Sequence, residues 1–520
     1  MRSSAGDQSE TIAFLSEGKS YGFPGATVRR IETHWSVIFL VADRAYKLKR
    51  QLSFSLLDYS TVVKRERACR AELAVNAAAA SDLYLGLRKI SRRADGALSF
   101  ADDRPAVDWV VAMRRFDQAD LLDHLADDRL LDASMAHALA DEIAVFHARA
   151  EVDARWGGAS AIRRAVARWR DELGAVEGFF EKGQREAYGD AVGRAISDVE
   201  ELLEQRRQEG KVRRCHGDLR LANICLLDDR LTLFDAIEFS EELSSIDVLY
   251  DLAFLLMELH HRGLSEVGNI VFNRYLDVSG DIDGLPLLPL FLSFRAAMRG
   301  QMVAAAALRR SEPLRSRLAA DARSYLASAM ALLRPRSPQL IAIGGLRSLG
   351  KTELASALAV GLGPAPGARI IRGHIVRKHL VNVAQEARLP PAAFDEATTE
   401  RVYDAVCREA ARALAAGTTA IVDLDFLGPK ERREIADVAV TAAAPFAGLW
   451  FGGHDGLLTP GAEPYIEPAA KEGDRSALRT RRATIGSTSE WHWIDARAGS
   501  AAALSTARSL TELIADCVAR

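Results

Sequence analysis

The sequence lacks a long hydrophobic run. No stretch of about 18 apolar residues occurs, and the richest segment, 248–259, is interrupted by Asp251 and Glu258. That segment is therefore predicted to be a buried helix, and no membrane partner is expected. The first 20 residues are polar and contain no apolar core, so no signal peptide is expected either.

The chain also has few cysteines and a net charge close to zero. Only 5 of the 520 residues are cysteines and none forms a C-x-x-C pair, which argues against a disulfide framework or a zinc site and favours a reducing cytoplasm. The 68 Lys and Arg nearly balance the 71 Asp and Glu, so the net charge is −3. A near-neutral chain has no broad electrostatic basis for binding nucleic acid, which is therefore an unlikely partner.

The remaining composition is that of a globular chain. Hydrophobic residues make up 48% and charged residues 27%, which argues against disorder, and the length suits about three domains. Pro335 and Pro338 end an Ala-rich helix, so we place a domain boundary at 336. The predicted divisions are an N-terminal segment, a strand-rich small lobe, a helical lobe and a last domain, covering residues 1–27, 28–118, 119–335 and 336–520.

Strands and helices alternate in the last domain. Such alternation is typical of an α/β domain whose parallel sheet has helices on both faces. The five strands of this sheet are predicted at residues 339–343, 368–372, 419–423, 447–451 and 491–494.

The segment 215–224 reads CHGDLRLANI and places Asp218 five residues before Asn223; Asp235 follows twelve residues later. Phosphoryl transfer needs a carboxylate that orients the attacking hydroxyl and oxygen ligands that hold Mg²⁺ against ATP. Residues on either side of 228–229 can form a hairpin that returns Asp235 beside Asn223. The arrangement parallels the catalytic loop and metal-binding Asp of protein kinases, and it predicts ATP and Mg²⁺ as cofactors.

This loop resembles that of the aminoglycoside phosphotransferase family, which reads H-G-D-x-x-x-x-N. The resemblance implies a protein-kinase-like bilobal fold for the first half of the chain. It also implies that Asp218 is the catalytic base, that Asn223 and Asp235 are Mg²⁺ ligands, and that His216 supports the loop.

A kinase-like small lobe should supply a lysine for the α/β-phosphates and a helix glutamate that holds it. We prefer Lys47 over Lys49 for the first role and Glu72 over Glu66 for the second. No glycine-rich phosphate loop is visible between 28 and 41, which departs from protein kinases. By resemblance alone, the adenine is expected to contact the backbone near Met113.

The segment GLRSLGKT, from Gly345 to Thr352, satisfies G-x-x-x-x-G-K-[ST], follows a predicted strand and opens a predicted helix. Backbone groups of the loop between Gly345 and Gly350 are predicted to hold phosphates, and Lys351 to reach the β/γ-phosphates. Thr352 is a predicted Mg²⁺ ligand. Asp423 ends a predicted strand, where a second metal-organising carboxylate is expected.

The last domain resembles the small P-loop kinases, among them gluconate kinase, chloramphenicol phosphotransferase and zeta-toxin-like and polynucleotide-kinase-like proteins. Those relatives often carry an acceptor-handling Asp where this chain has His374, which is either a base or an ordinary surface histidine. An arginine-bearing lid is expected, and the candidates are Arg475, Arg479, Arg481 and Arg482.

Together the two halves resemble a bacterial fusion of an aminoglycoside-phosphotransferase-like domain with an AAA-labelled P-loop ATPase or kinase domain. The stretch from His216 to Leu259 matches this fusion family. Asp247 and Asp251 in that stretch also match, and we interpret both as structural. Further matching runs are ETHWS at 32–36, AYKLK at 45–49, LDYST at 57–61 and DLYLG at 82–86.

The predicted function is an ATP- and Mg²⁺-dependent phosphotransferase that acts on a hydroxyl of a small molecule, with a second ATP-binding site in the P-loop domain. Two alternatives stay open. In one, the P-loop domain is the main kinase or ATPase, of small-molecule or polynucleotide type, and the first domain is accessory. In the other, the protein is a nucleotide-sensing regulator.

Overall fold

The computed structural model describes residues 8–54, 57–77, 79–100, 104–335, 337–345, 350–452, 491–495 and 500–519. These residues form two compact units. Unit 1 comprises residues 1–175 and 196–258, and unit 2 comprises residues 176–195 and 259–520. The domain boundaries drawn from the sequence differ from this division and stay predictions.

Unit 1 contains a six-stranded antiparallel sheet in the order β1-β2-β3-β8-β6-β7. Its inner strands are buried on both faces, because Val37 and Phe39 belong to one hydrophobic core and Leu40 of the same strand belongs to another. Smaller two-stranded pairs accompany it, β4 with β5 and β9 with β12. The unit 1 strands are β1 Arg29–Glu32, β2 Ser36–Val41, β3 Arg44–Lys49, β4 Ser53–Phe54, β5 Leu57–Asp58, β6 Tyr84–Arg92, β7 Leu98–Ser99, β8 Ala106–Arg114, β9 Val212–Arg214, β10 Ile224–Leu227, β11 Arg230–Leu233 and β12 Ser245–Asp247.

Within the described residues, twelve α-helices precede the parallel sheet that begins at Leu340. Helix α2 packs against β6 and β8, and it begins where the Thr61 side chain accepts a hydrogen bond from the Lys64 N–H. The helices are α1 Ser9–Leu15, α2 Val62–Asn76, α3 Leu122–Asp127, α4 Ala133–Arg149, α5 Gly158–Leu173, α6 Lys182–Asp198, α7 Glu200–Gln208, α8 Glu241–Ser244, α9 Val248–His261, α10 Ser265–Ser279, α11 Leu288–Ala307 and α12 Leu314–Leu332.

The predicted hairpin after the H-G-D loop is present. Strands β10 and β11 pair antiparallel, with Ile224 opposite Leu233. Its two turn residues, Asp228 and Asp229, both have positive φ angles, 51° and 60°. A two-residue turn of this kind matches the twist of the strands, and Asp tolerates the left-handed conformation that it requires.

Unit 2 contains the predicted parallel sheet. Five strands pair parallel in the order β14-β15-β13-β16-β17, and the central strand β13 is buried along its whole length. The elements are β13 Leu340–Gly344, α13 Lys351–Ala359, β14 Arg369–Arg372, α14 Gly373–Leu380, α15 Glu396–Ala415, β15 Ala420–Asp423, α16 Pro429–Thr441, β16 Phe446–Gly452, β17 His492–Asp495 and α17 Ser500–Ala519.

Helix α10 covers the exposed edge of this sheet within unit 2. The Ile370 N–H of edge strand β14 donates to Asn273 Oδ1 at 2.7 Å, and Asn273 Nδ2 donates to the Ala368 carbonyl at 3.1 Å. Arg369 lies 2.6 Å from Asp277 and 2.8 Å from Glu409, and its side chain is buried. The Ile370 N–H and the Ala368 carbonyl at this edge are thus satisfied by side chains, which disfavours the addition of another strand there.

The predicted α/β and α+β fold class is confirmed, because the chain combines an antiparallel six-stranded sheet and α-helices with a parallel five-stranded sheet. In the parts of the chain that the structure describes, no helix combines the length and apolar character needed to cross a membrane.

Candidate functional site

Lys47 lies on β3 and is held by two carboxylates of unit 1. Its Nζ is 2.9 Å from Glu72 Oε1 on helix α2, and it also contacts Asp235 Oδ1. Burial alone lowers the pKa of the Lys47 ammonium, but Asp235 and Glu72 more than offset this and raise the pKa well above its usual value. Lys47 therefore stays charged. The structure brings together the lysine and the glutamate that the sequence analysis preferred.

A second lysine shares the same glutamate. Lys49 Nζ lies 2.6 Å from Glu72 Oε2, and it also contacts Glu238, which accepts a hydrogen bond from the Tyr59 hydroxyl. Lys49 points to the same side of β3 as Lys47 because side chains alternate along a strand. Glu66, the other candidate on α2, instead pairs with Arg70.

Asp218 lies in the H-G-D loop and faces Arg220 and Asn223. Arg220 donates to both carboxylate oxygens at 2.9 and 3.2 Å, and Asn223 Nδ2 donates to Asp218 Oδ2 at 2.9 Å. Burial disfavours the carboxylate, but Arg220 outweighs that effect and lowers the pKa of Asp218. The carboxylate is therefore ionised and has a fixed orientation.

The β10–β11 hairpin returns Asp235 to the same place. The Phe234 N–H donates to the Asn223 carbonyl at 3.0 Å, which joins the end of β11 to the start of the hairpin. Asp235 has a φ of 62°, and its N–H donates to the Tyr84 hydroxyl at 3.1 Å. Burial disfavours the Asp235 carboxylate, but Lys47 more than offsets that and lowers its pKa.

Side chains of helix α9 hold the backbone of the H-G-D loop. Asp251 accepts from the N–H groups of His216 and Gly217 at 3.0 and 2.9 Å, and Glu258 accepts from the Leu221 N–H at 2.9 Å. His216 Nε2 lies 2.8 Å from the Phe234 carbonyl. These contacts fix the loop against α9 and the hairpin.

Asp247 and Asp251 are both buried and paired. Asp247 accepts two hydrogen bonds from Arg206 at 2.7 and 2.8 Å. Asp251 lies 3.2 Å from His147 Nε2, in addition to accepting hydrogen bonds from the loop N–H groups. Arg220, Glu238 and Glu258 were not predicted from the sequence as site residues. The only signal for Arg220 was its place two residues after Asp218.

The donor set of this site fits a divalent cation. Within the described residues both hydrogen bonds of the Asn223 amide use its nitrogen, so the amide oxygen is available to a metal ion, and the hairpin that starts at Asn223 leads to the Asp235 carboxylate. The ammonium groups of Lys47 and Lys49 contact three carboxylates, those of Glu72, Asp235 and Glu238. This cluster therefore carries one negative charge in excess. A cation at Asp235 would balance that charge.

Met113 lies near the end of β8 and belongs to the core of unit 1, together with Leu40 and Cys225. Just beyond it, Phe116 lines a cavity of 240 Å³ with Leu40 and Ala42. The rest of that lining is charged or polar and includes Arg115 and Asp117. A role for Met113 in adenine binding stays a prediction.

In unit 2 the residues of the G-x-x-x-x-G-K-T segment lie at the carboxyl edge of the parallel sheet. Residues 346–349 are outside the described ranges, but Gly345 and Gly350 have φ angles of 126° and 87°, which favour glycine. Gly345 also has no room for a side chain, because an added Cβ would lie 2.2 Å from the Phe451 carbonyl oxygen.

Asp423 at the end of β15 and Asp425 two residues later hold the first turn of α13. Lys351 Nζ donates to Asp425 Oδ1 at 2.8 Å, and Thr352 Oγ1 donates to Asp423 Oδ2 at 2.6 Å. A threonine hydroxyl and a strand-end carboxylate in contact are the groups with which P-loop proteins hold Mg²⁺. Asp425 was not identified from the sequence.

These residues line a cavity of 740 Å³ within unit 2. His374, at the start of α14, is exposed and lines the same cavity, as does Arg377 one turn later. The structure therefore brings His374 together with Lys351, Thr352 and Asp423. The four candidate lid arginines, Arg475, Arg479, Arg481 and Arg482, lie outside the described residues.

Comparisons with known proteins agree with the P-loop prediction. Residues 340–456 match a family model described as "AAA domain", which confirms the predicted P-loop domain. Uncharacterized proteins of Mycobacterium tuberculosis and Mycobacterium bovis are 29% identical to the chain over 412 residues, covering 77% of this chain and 79% of theirs.

Some solved structures are also similar. A choline/ethanolamine kinase family protein from Mesorhizobium loti is 12% identical, with a TM-score of 0.38; the match covers 62% of this chain and 94% of that protein. The aminoglycoside phosphotransferase APH(2'')-Ib is 14% identical, with a TM-score of 0.29, over 57% of this chain and 91% of that protein.

Proposed function

We propose that the chain is an ATP- and Mg²⁺-dependent phosphotransferase whose unit 1 transfers the γ-phosphoryl group of ATP to a hydroxyl of a small molecule. The observation that carries the proposal is the meeting of four groups in unit 1. Lys47 contacts Asp235, and Asp235 follows the hairpin that starts at Asn223, which in turn binds Asp218.

Asp218 is the group that orients the acceptor. Its ionised carboxylate accepts a hydrogen bond from the acceptor hydroxyl and takes up the proton as the phosphoryl group is transferred. Arg220 and Asn223 hold the carboxylate in one orientation, and Asp251 and Glu258 hold the loop backbone. Pre-organisation of this kind avoids the cost of reorienting groups during the reaction.

Lys47 binds the α/β-phosphates of ATP, and Glu72 holds its ammonium beside Asp235. Asn223 and Asp235 would hold Mg²⁺ through one amide and one carboxylate oxygen. The ion, when bound, neutralises the charge that develops on the phosphates. His216 supports the loop through its contact with the Phe234 carbonyl.

The test is transfer of ³²P from γ-labelled ATP by the full chain to a panel of small-molecule alcohols, with and without Mg²⁺. Asp218→Asn and Asp235→Asn should each lower the transfer rate by a hundredfold or more. Asp228→Asn is the matched control, because Asp228 lies in the same hairpin but only pairs with Arg114 on the surface. Normal transfer by Asp218→Asn or Asp235→Asn, with a native circular-dichroism spectrum, would contradict the proposal.

A second candidate is that the P-loop domain is the main kinase or ATPase, of small-molecule or polynucleotide type, or a nucleotide sensor. The contacts of Lys351 with Asp425 and of Thr352 with Asp423 support it. Lys351→Ala and Asp218→Ala, assayed side by side for ATP consumption, separate the candidates. Loss only in Lys351→Ala favours the P-loop enzyme, and ATP binding at Lys351 without turnover favours the sensor.

The cytoplasm stays the expected compartment. Cys69, Cys215, Cys225 and Cys407 form no disulfide within the described part of the chain, and a reducing compartment would keep them in that state.

A further inference from the structure

Lys49 is the second lysine of β3 and takes no direct part in the phosphoryl transfer proposed above. Its side chain is 2% exposed and lies between the carboxylates of Glu72 and Glu238, with its ammonium 5.1 Å from the centre of the Tyr59 ring. Burial lowers the pKa of the Lys49 ammonium, but Glu72 and Glu238 more than offset burial and raise the pKa well above its usual value. Lys49 is therefore a charged group buried where a nucleotide phosphate does not contact it.

The Glu72 carboxylate has one oxygen for each lysine of β3. Oε1 accepts a hydrogen bond from Lys47 at 2.9 Å, and Oε2 accepts one from Lys49 at 2.6 Å. A carboxylate that is held at both oxygens cannot rotate about its last side-chain bond without breaking one of these charge-assisted hydrogen bonds. The contact with Lys49 therefore fixes the direction in which Oε1 faces Lys47.

Glu238 holds the other side of the Lys49 ammonium. It lies three residues after Asp235, and its side chain is 6% exposed. Its Oε1 contacts Lys49 Nζ and also accepts a hydrogen bond from the Tyr59 hydroxyl at 2.7 Å. Lys49 thus joins the segment after Asp235 to the carboxylate of Glu72.

The segment 236–238 is joined to helix α2 at a second place. The Ala236 N–H donates to Asn76 Oδ1 at 3.1 Å, and Asn76 Nδ2 donates to the Glu72 carbonyl at 2.9 Å. Asn76 and Glu72 are one turn apart on α2. The residues that follow Asp235 therefore hold the part of the helix from which Glu72 projects.

We propose that Lys49 and Glu238 are positioning residues of the unit 1 site, an inference that rests on the proposed function of that site. Lys49 orients the Glu72 carboxylate, and Glu72 in turn fixes the Lys47 ammonium in the place where it binds the α/β-phosphates. Glu238 makes this arrangement depend on the segment that follows Asp235. Neither Lys49 nor Glu238 touches ATP, so both contribute to nucleotide binding only through Lys47.

The charges of the cluster separate this role from a purely structural one. Lys49→Met alone leaves the buried Glu238 carboxylate without its cation, which destabilises the fold. Lys49→Met combined with Glu238→Gln removes one charge of each sign, so Lys47, Glu72 and Asp235 keep the excess of one negative charge. Replacing a buried ion pair by uncharged side chains of similar size is often neutral for stability. The double variant should therefore melt like the wild type, although Glu72 has lost its second contact.

The experiment measures nucleotide binding to unit 1 in the full chain. Every variant also carries Lys351→Ala, which removes the P-loop lysine of unit 2, and the binding of mant-ATP with Mg²⁺ is followed by fluorescence titration. In the variant with Lys49→Met and Glu238→Gln, the Kd should rise about tenfold, or roughly 1.4 kcal/mol, at an unchanged melting temperature. Lys64→Met is the matched control, because Lys64 pairs with Asp58 at the surface.

Adding Lys47→Met tests whether Lys49 acts through Lys47. In a chain that already carries Lys47→Met, the changes at Lys49 and Glu238 should not raise the Kd further, because the group that they position is gone. A pair that only supported the fold would weaken binding by the same factor with and without Lys47→Met.

An unchanged Kd in the variant with Lys49→Met and Glu238→Gln overturns the inference, and so does an equal rise in the Kd when Lys47→Met is present. A rise in the Kd that comes with a lowered melting temperature also overturns it, because the pair would then serve the fold. Absence of saturable mant-ATP binding by the Lys351→Ala chain overturns it together with the role of Lys47. The expected Kd pattern without Asp218-dependent phosphoryl transfer supports the inference and contradicts only the proposed function.

Discussion

Replacing Glu72 by glutamine tests the centre of unit 1. The Glu72 side chain is fully buried, and its two carboxylate oxygens lie 2.9 Å from Lys47 and 2.6 Å from Lys49. Glutamine keeps the shape but removes the charge. Two buried ammonium groups then share only the carboxylates of Asp235 and Glu238.

The expected loss is large because a buried charge is left without its partner. Removing one member of a buried ion pair costs about 3–5 kcal/mol. Glu66→Gln is the control on the same helix. Its pair with Arg70 is partly exposed, with 62% of the arginine side chain accessible, and such pairs contribute about 0.3–0.5 kcal/mol.

Hydrogen–deuterium exchange of the full chain measures the effect locally, because each element opens with its own free energy. Peptides from β3 and α2 should exchange faster in Glu72→Gln than in the wild type. In Glu66→Gln they should exchange at the wild-type rate. The same variant should raise the KM for ATP in unit 1 transfer, since Lys47 loses its anchor. Equal exchange in the two variants would refute the role given to the Glu72 charge.

The contribution of Glu72 also depends on pH. Burial disfavours its carboxylate, but Lys47 and Lys49 outweigh burial and lower the pKa of Glu72 below its usual value. Because the folded-state pKa is the lower one, the stabilisation is complete above about pH 4.3 and is lost as the pH falls through the folded-state pKa. Wild type and Glu72→Gln should therefore converge in acid and differ most near neutral pH.

Three further predictions concern other parts of the chain. Asp218→Asn combined with Asp235→Asn should lower unit 1 transfer little more than either change alone, because the two groups act in one step; multiplicative losses in the rate assay would contradict this. Lys351→Ala should abolish the binding of a fluorescent ATP analogue to unit 2, and unchanged fluorescence titration at that site would exclude a phosphate-binding role. Arg369→Met should destabilise β14 by about 3–5 kcal/mol, because Asp277 and Glu409 lose a buried partner, and peptides from β14 should then exchange hydrogen for deuterium faster. Arg412→Met, which changes a surface residue, should alter the exchange of the β14 peptides little.

Local sequence determined much of unit 2 and of the H-G-D loop. The five parallel strands lie within two residues of their predicted places, because strong apolar runs between turn residues leave few alternatives. The hairpin that carries Asp235 was also predictable, since a two-residue Asp-Asp turn fixes the pairing register. The spacing of Asp218, Asn223 and Asp235 is a property of one short stretch of chain.

Only the tertiary structure decided which distant groups meet. Lys47 and Asp235 are 188 residues apart in sequence, and Lys49 and Glu238 are 189 apart. Periodicity placed both lysines on one face of β3, but it could not show that one glutamate serves both or that Asp235 contacts Lys47. Such contacts depend on how the sheet, helix α2 and the hairpin pack, and packing is set by the whole core rather than by any local pattern.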